Sequence, residues 1–454
     1  MAPSSLTTPP PSRSGTETPE HGCLDHIQHA DRLLNEPDGR WIKLPEALFS
    51  SIMAVEPEIN PMYKTSKALS DEWLRNALCM DDKTASIWSR LDIAYMSAIC
   101  APHTDVETLK LMNDWNGWVF AFDDPFDEGT FANDPIKAAE EVIYTLATLD
   151  NIHPIVSPEE NPMRHTLQSC WNRFRKRASP GLQYRWKRHL TMYCVGVLQQ
   201  VGVQHKASRP TVEEYMDMRA GCVGAYPSAS AAGKLCTGTH AFLHRLRHFG
   251  QGFKRTFHGS SPGIRRARRS CGWLSLSFTP DWLLHQVPFR VASSGWPIRR
   301  GLFEEIIALT VKRTGLPKEL TCLNTDTVRD ISDPDPLRID SWLISTRQND
   351  LCSYRKDLIK GEDSNIIFIL KDQGMSDQQA VDHIGEMLYD CYRRWYNALI
   401  NLPFWGEGID RDVMKFINGC RNIALGNLHW SLYTFRYLGT DGPEVKRTRM
   451  MKLP

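Results

Sequence analysis

The side chains best suited to chemistry are Asn349, Ser353 and Asp357, which lie in the stretch NDLCSYRKD. Their spacing of i, i+4 and i+8 places an amide oxygen, a hydroxyl and a carboxylate in one row along a helix face. All three are hard oxygen donors, which suit Mg²⁺ and do not suit zinc or copper. Lys356 adds a cation beside the row. Because polar residues at helical spacing are usually a solvated face, the row predicts a metal site only if the chain supplies a second group of ligands.

A second group of acidic side chains follows an almost wholly apolar run, in the stretch DDPFDE that begins at Asp123. Asp123 and Asp127 are spaced i, i+4, and two carboxylates at a helix end repel each other unless a cation lies between them. Pro125 is expected to end the helix and to leave Asp127 on a looser turn. Asp123 is therefore the stronger candidate for a metal ligand, and Asp124 and Asp127 are weaker ones. The alternative is a charged helix C-terminus, which the helix dipole disfavours.

Two helices that present such ligands across an apolar cavity would hold a metal-bound diphosphate, with the metal ions neutralising the phosphate oxygens. Cationic side chains are then needed to complete the anion site. The candidates are Lys356, Arg219 and the pair Arg436-Tyr437 at the end of the last predicted helix. Arginine contacts phosphate with two N–H groups at once, and the Tyr437 hydroxyl can donate a hydrogen bond. Taken singly, each is more often a surface or ion-pair residue.

Helix signals recur along the chain and strand signals are scarce, so the sequence predicts an all-α fold. Capping boxes pair a Ser or Thr with a Glu or Gln three residues later, and they predict helix starts at Thr104-Glu107, Thr211-Glu214 and Ser376-Gln379. Further helices are expected over 23–36, 160–178, 182–205 and from about Asp410 to Tyr437. An apolar stripe at helical spacing precedes Asp123 and consists of Leu109, Met112, Trp115, Val119 and Phe122.

The composition narrows the class of protein. With 454 residues, 41% hydrophobic residues and a formal net charge of +1, the chain can bury a large core and lacks the basic excess of a nucleic-acid-binding protein. Its 12 cysteines occur without CxxC pairs, which is typical of reduced thiols in an intracellular protein and predicts no zinc site. No signal-peptide pattern and no apolar stretch long enough for a membrane span is visible, so a cytoplasmic protein is expected.

The expected organisation is a disordered tail over 1–20, one helical domain over 21–440 and a C-terminal tail over 441–454. A basic insertion over about 234–310 interrupts the domain. From Lys234 to Arg300 it has 12 Lys or Arg and one acidic residue, Asp281. It is either a functional basic loop for a polyanion or sequence foreign to the folded protein, such as a translated intron. The abrupt shift in composition and the lack of helix signals favour the second interpretation.

Together these motifs resemble those of class I terpene synthases, and they are closest to fungal sesquiterpene synthases. The stretch FDDPFDEG from Phe122 resembles the aspartate-rich motif of these enzymes, and Asn349 to Asp357 resembles their second metal motif. Arg436-Tyr437 resembles their terminal Arg-Tyr pair, and the segment YMDMRAGCVGAYP around Arg219 resembles the one that carries their diphosphate-sensing arginine. The resemblance covers the chain from about residue 40 to 438, apart from the basic insertion.

The resemblance implies a helical bundle around an apolar cavity, in which farnesyl diphosphate is ionised with three Mg²⁺ ions and the carbocation cyclises to a sesquiterpene. It implies a catalytic set of Asp123, Asn349, Ser353 and Asp357, and metal ligands among Asp123, Asp124, Asp127, Asn349, Ser353 and Asp357. It implies diphosphate contacts from Arg219, Lys356, Arg436 and Tyr437. Because aromatic faces stabilise cations, the candidates for the cavity lining are Trp115, Trp118, Phe122 and Trp430.

Some positions depart from the family pattern. Asp357 stands where glutamate is commoner, which keeps the charge and shortens the reach by one methylene. Ala220 stands where a second arginine is often found, and Cys222 stands where threonine is frequent. Arg219 and Asn349 are 130 positions apart, because the basic insertion lies between them.

Two other functions fit part of the pattern. A prenyl-chain-elongating synthase normally has two Asp-rich motifs and no Asn/Ser row, so this chain disfavours it. A non-catalytic protein, either a pseudoenzyme with a disrupted site or a polyanion binder that uses the basic insertion, stays open.

The expected partner is a small isoprenyl diphosphate, with no nucleic acid, and the expected oligomeric state is a monomer or a homodimer.

Overall fold

The computed structural model describes residues 40–127, 129–204, 209–222, 336–362 and 364–454. Within these ranges the chain is almost entirely helical, which confirms the predicted fold class. The predicted tail over 1–20, the predicted helix over 23–36 and the basic insertion over 234–310 lie outside the described residues. None of the helices in the described ranges is both long enough and apolar enough to cross a membrane.

The helices are α1 Tyr63–Ala77, α2 Asp82–Leu91, α3 Ile93–Cys100, α4 Val106–Asp127, α5 Pro135–Ala147, α6 Pro162–Arg177, α7 Pro180–Gln204, α8 Val212–Cys222, α9 Pro336–Lys360, α10 Ile366–Asp372, α11 Asp377–Ile400, α12 Glu407–Tyr433 and α13 Gly442–Thr448. Short 3₁₀ turns occupy Glu46–Phe49, Ser51–Met53 and Gly439–Asp441. Two short strands, β1 Trp41–Lys43 and β2 Met450–Lys452, pair with each other.

Most of the predicted helices are confirmed. The capping boxes that open α8 and α11 are present, at Thr211-Glu214 and Ser376-Gln379. The helices predicted over 160–178 and 182–205 are α6 and α7. The last long helix, α12, starts and ends a few residues earlier than predicted.

The capping box predicted at Thr104-Glu107 is wrong. Helix α4 begins at Val106, and the Asp105 carboxylate accepts a hydrogen bond from the backbone N–H of Thr108 at 2.9 Å. Thr104 is instead buried before the helix. Asp is a better N-cap than Thr, so the carboxylate one residue nearer the helix takes that position.

The core consists of two main clusters of buried side chains, and each cluster includes one of the two helices that carry the acidic and polar motifs. The larger cluster packs α9, α10, α11 and α12 together with β1. The second is rich in aromatic residues and packs α4, α5, α6 and α7. Helix α8 borders both, because Tyr215 and Met218 join the first cluster and Cys222 joins the second.

Helix α8 is fixed against α7 at a contact between two glycines. A Cβ atom on Gly196 of α7 would lie 2.4 Å from the backbone carbon of Gly221 on α8. No side chain fits there, so the two backbones pack directly on each other. This close packing determines where α8 places Arg219.

The segment 441–454 is not a tail, contrary to the prediction. It forms α13 and β2, and β2 pairs antiparallel with β1, with Ile42 opposite Met451. Both of these side chains are buried, as are Val445 and Leu453. Burial of this apolar surface orders the end of the chain against the start of the described region.

His429 on α12 helps to hold α13 in place. Its Nδ1 accepts a hydrogen bond from Lys446 Nζ at 3.3 Å. Burial first, and then the charge of Lys446, lower the pKa of His429 to about 4, whereas an unfolded chain has a histidine pKa of about 6.5. As the pH falls, the unfolded state therefore binds a proton before the folded state does.

The stability that neutral His429 contributes is therefore present above about pH 6.5 and is lost as the pH falls towards 4. When the pH is lowered from 6.5 to 4.5, the free energy of unfolding of the wild type should fall. In His429→Gln we expect this decrease to be smaller by about 1–2 kcal/mol. Urea denaturation at each pH measures the free energy of unfolding of the wild type and of the variant. The same pH dependence in the two proteins would contradict the prediction.

Candidate active site

A cavity of about 790 Å³ opens between α3, α4, α7, α8, α9 and α12. It brings together most of the residues singled out from the sequence, although they are spread over more than 300 positions. The predicted residues that line it are Asp123, Asp127, Arg219, Asn349, Ser353, Lys356, Asp357, Trp430, Arg436 and Tyr437. The other predicted site residues, Asp124, Trp115, Trp118 and Phe122, do not line it.

The first acidic wall is the end of α4, which continues through Pro125 to Asp127. The expectation that Pro125 ends the helix is wrong. Proline removes one backbone hydrogen bond, but Phe126 beyond it is buried and packs against Phe122, with ring centroids 4.8 Å apart. This burial keeps the last turn helical and places Asp127 one turn after Asp123, facing the same cavity.

The backbone closes tightly on the end of α4. The carbonyl of Pro125 accepts a hydrogen bond from the N–H of Phe131 at 3.0 Å. A Cβ atom on Gly129 would lie 2.7 Å from the Pro125 Cα, so only glycine fits at this position of the turn that follows α4. The turn holds Asp127 at the cavity.

Both inward carboxylates of α4 are half-buried and hydrogen-bonded to α7. Asp123 accepts from the Tyr193 hydroxyl at 3.1 Å, and Asp127 accepts from the Gln200 side-chain amide. Burial, and then the neighbouring Asp127 charge, raise the pKa of Asp123 well above its usual range. Burial also raises the pKa of Asp127. A cation between the two would remove this electrostatic penalty.

Asp124 has a different environment. Its side chain is 44% exposed and pairs with Arg436, with Nη2 and Oδ1 2.7 Å apart. Neighbouring positions on a helix face different directions, so Asp124 points away from the wall that Asp123 and Asp127 form. It tethers Arg436, which follows α12, to the end of α4.

The second wall is α9, where the predicted row faces the cavity. Ser353 Oγ donates to Asp357 Oδ2 at 2.7 Å. Asn349 Nδ2 donates to the Tyr437 hydroxyl at 3.0 Å. The Asn349 Oδ1 atom is thereby turned towards Arg219, whose Nη2 donates to it at 3.0 Å.

Arg219 links α8 to the second wall. Its Nη2 also lies 3.3 Å from Asp350 Oδ1, and the other oxygen of Asp350 accepts from the Tyr215 hydroxyl at 2.8 Å. Burial alone would lower the pKa of Arg219, but the neighbouring Tyr215, Cys222 and acidic groups raise it well above its usual value. Its buried Nε has no hydrogen-bond acceptor among the described residues.

Further cations surround the same opening. Lys356 Nζ lies 3.1 Å from Glu362 and 3.6 Å from Asp357. Burial opposes the charge of Lys356, but the two acidic neighbours outweigh it and raise its pKa. The buried Nε of Arg436 also has no acceptor within the described ranges. The cavity therefore combines acidic walls with half-buried cations.

The prediction that Trp115, Trp118 and Phe122 line the cavity is wrong. Trp118 stacks on both of the others, with ring centroids 5.1 and 4.7 Å apart, inside the aromatic cluster. Trp430 does line the cavity, next to Phe120, with centroids 4.9 Å apart.

The opposite face of α4 lines the cavity instead. Counting back from Asp123 in helical steps of three and four reaches its cavity-lining residues, which are Phe120, Val119, Asn116 and Met112. The carboxylates and the lining must share a face, so this count was the signal available in the sequence. Tyr193 and Gln200, also missed, stand two turns apart on one face of α7.

The donors of the two walls fit a hard divalent cation, because all are carboxylate, amide or hydroxyl oxygens. Within the described ranges, no three His, Cys, Asp or Glu side chains converge into a metal site by themselves. The candidate donors are instead divided between α4 and α9 across the opening. Phosphate oxygens and water would have to complete the shell of a cation held there.

Comparisons with known proteins agree with this geometry. A family model described as "Terpene synthase family 2, C-terminal metal binding" matches residues 114–238 and 323–394. The chain is 65% identical over 451 residues to "Terpene cyclase 4" of Gibberella fujikuroi, which covers 99% of each chain. It is 31% identical over 415 residues to "(+)-eremophilene synthase" of the same organism, covering 91% of this chain and 92% of that protein.

Among solved structures, the fold resembles linalool/nerolidol synthase from Streptomyces clavuligerus in complex with 2-fluorogeranyl diphosphate. The TM-score is 0.54 at 16% identity, covering 84% of this chain and 98% of the other. The chain therefore belongs to the terpene synthase family. It has the helical class I fold of that family and is a terpene cyclase, and the matched family model describes a metal-binding region.

Proposed function

We propose that this terpene cyclase is a sesquiterpene synthase that ionises farnesyl diphosphate with Mg²⁺, releases diphosphate and cyclises the carbocation. One observation carries the proposal. Asp123 and Asp127 on α4 share a cavity with Asn349, Ser353 and Asp357 on α9. This is the donor set expected for metal ions that bind a diphosphate between two helices.

The polar end of the cavity suits the diphosphate. Arg219, Lys356 and Arg436 are cations that line it, and Tyr437 supplies a hydroxyl. Mg²⁺ bound to these walls would neutralise the phosphate oxygens and make diphosphate a better leaving group. The arginine and lysine side chains would bind the phosphate oxygens and hold the departing anion away from the carbocation.

The other end suits a hydrocarbon chain. Its lining includes Met96, Met112, Val119, Phe120 and Trp430. The Phe120 and Trp430 rings can stabilise a carbocation through their faces, and the apolar walls exclude water that would quench it. A volume of about 790 Å³ lies in the range of ligand cavities. The similarity to "(+)-eremophilene synthase" supports a sesquiterpene product.

The proposal is tested with purified protein, farnesyl diphosphate and Mg²⁺. We expect diphosphate release together with a cyclic sesquiterpene, a hydrocarbon or an alcohol, identified by gas chromatography with mass spectrometry. Chelation by EDTA should abolish both, because the acidic walls cannot bind diphosphate without cations. Turnover that is unaffected by EDTA would contradict the metal-dependent mechanism. Elongated prenyl diphosphates in place of volatile products would favour the chain-elongating alternative.

The basic insertion is tested by deletion. We propose that residues 234–310 do not belong to the active protein, and the same assay on a chain that lacks residues 234–300 examines this. Turnover that is equal or higher after the deletion supports the proposal, and sequencing the transcript across residues 230–315 tests for an intron. Polyanion binding without turnover in the full chain would favour a non-catalytic protein.

A cytoplasmic location and a monomeric or homodimeric state stay predictions from the sequence.

A further inference from the structure

Asn365, which precedes α10, is a buried amide with both ends fixed by hydrogen bonds. Its Oδ1 accepts from the backbone N–H of Ile367 at 2.9 Å and so caps the helix. Because a backbone N–H can only donate, this contact identifies the other terminal atom as Nδ2. Nδ2 lies 2.8 Å from the Asp350 carbonyl, 2.9 Å from Asp357 Oδ2 and 3.4 Å from Ser353 Oγ.

These contacts decide which atoms of Ser353 and Asp357 can meet a cation. Asp357 Oδ2 accepts from both Ser353 and Asn365, at 2.7 and 2.9 Å. Because the Ser353 proton is used in that bond, the Ser353 oxygen, which lines the cavity, keeps a lone pair for a cation. Asp357 is left to offer Oδ1, which among the described residues contacts Lys356 Nζ at 3.6 Å.

We propose that Asn365 is a positioning residue for the metal ligands of α9, an inference that rests on the proposed function. Asn365 does not itself line the cavity. Its Nδ2 holds Asp357 Oδ2 by a hydrogen bond. Asp357 Oδ2 in turn accepts from the Ser353 hydroxyl and so fixes the direction of that hydroxyl. Loss of such outer hydrogen bonds typically lowers metal affinity or activity about 10–100-fold.

A test must separate this role from helix capping, because Asn365 does both. Asn365→Thr keeps a capping hydroxyl and a similar volume but removes both N–H donors. The backbone at φ −146° and ψ 138° is extended and accepts a β-branched residue. Asn161 provides a matched control, because it caps α6 by accepting from Arg164 N–H at 2.9 Å and does not line the cavity.

The experiment compares the wild type, Asn365→Thr and Asn161→Thr. Calorimetric titration with Mg²⁺ in the presence of inorganic diphosphate measures metal affinity, and urea denaturation without metal measures stability. We expect Asn365→Thr to be less stable than Asn161→Thr, because it also removes the buried Nδ2 donor. With both variants folded, only Asn365→Thr should lose about 10–100-fold in Mg²⁺ affinity. Its KM for Mg²⁺ in turnover should rise more than its KM for farnesyl diphosphate.

Wild-type affinity for Mg²⁺ in Asn365→Thr would overturn the inference and leave the proposed function intact. A wild type that binds no Mg²⁺ with diphosphate would overturn the proposed function, and the role of Asn365 with it. An equal loss of affinity in Asn161→Thr would show that capping in general is responsible, which also overturns the inference. If Asn365→Thr does not fold, Asn365→Ser, which also keeps a capping hydroxyl, is judged by the same outcomes.

Discussion

Asp123→Asn is expected to abolish turnover and, at the same time, to stabilise the metal-free protein. Burial, and then repulsion from Asp127, raise the pKa of the Asp123 carboxyl, so its charge opposes folding when no cation is bound. The neutral amide should raise the free energy of unfolding by about 1–2 kcal/mol. It also removes a proposed metal ligand, so diphosphate release should fall about a thousandfold, equivalent to ~4 kcal/mol in the barrier.

The measurements are diphosphate release with Mg²⁺ and urea denaturation with EDTA. Asp124→Asn is the matched control, because Asp124 is the adjacent carboxylate but is partly exposed and paired with Arg436. We expect it to lose less than about tenfold in turnover and to gain no stability. Full activity in Asp123→Asn would refute the ligand assignment. Equal losses in the two variants would show that facing the cavity does not distinguish these carboxylates.

The row on α9 could be predicted because it depends on local geometry alone. Asn349, Ser353 and Asp357 share a helix face whatever surrounds the helix. Their function as one wall of a cavity depends on which helices face them, and no local pattern determines that. The resemblance to a known family supplied this information, and the structure places Asp123 and Asp127 opposite.

The face of α4 shows where sequence reasoning failed. Trp115, Trp118 and Phe122 are candidates for the lining because they are aromatic and aromatic faces stabilise cations. A cavity wall and a packed core are both apolar, so hydrophobicity cannot separate them. The direction of Asp123 separates them, because the cavity must lie on the side of the carboxylate.

The turn at Pro125 was mispredicted for a related reason. The local effect of proline on a helix is unfavourable, but Phe126 is fully enclosed by aromatic neighbours. Tertiary packing of that ring outweighs the missing hydrogen bond, and it is visible only once α4 and its neighbours are assembled. Local helix propensity therefore predicts the structure poorly where a side chain is as completely buried as Phe126.

Arg219→Gln is expected to lower both stability and turnover, for separate reasons. The Asp350 carboxylate, which is buried, would lose its arginine partner and keep hydrogen bonds from Tyr215 and the backbone of Ile366. Leaving such a charge without its counter-ion should lower the free energy of unfolding by about 2–4 kcal/mol. The diphosphate would lose a guanidinium, so turnover should fall about a hundredfold.

The double variant Arg219→Gln/Asp350→Asn separates the two effects. Removing both charges should bring the free energy of unfolding back to within about 1 kcal/mol of the wild type, because neither partner is left unpaired. Turnover should stay about a hundredfold low, because the diphosphate still lacks its cation. A double variant that recovers turnover along with stability would show that Arg219 is only the counter-ion of Asp350.

Arg173→Gln is the control for a purely structural arginine. Arg173 pairs with the buried Asp114, with Nη1 and Oδ2 2.5 Å apart, and it does not line the cavity. We expect a loss of stability of about 1–3 kcal/mol, moderated because Lys110 also contacts Asp114. Turnover per folded molecule, measured well below the unfolding temperature, should stay near the wild-type value. A hundredfold loss in Arg173→Gln would mean that any buried ion pair affects turnover, and Arg219 would then have no special role towards the diphosphate.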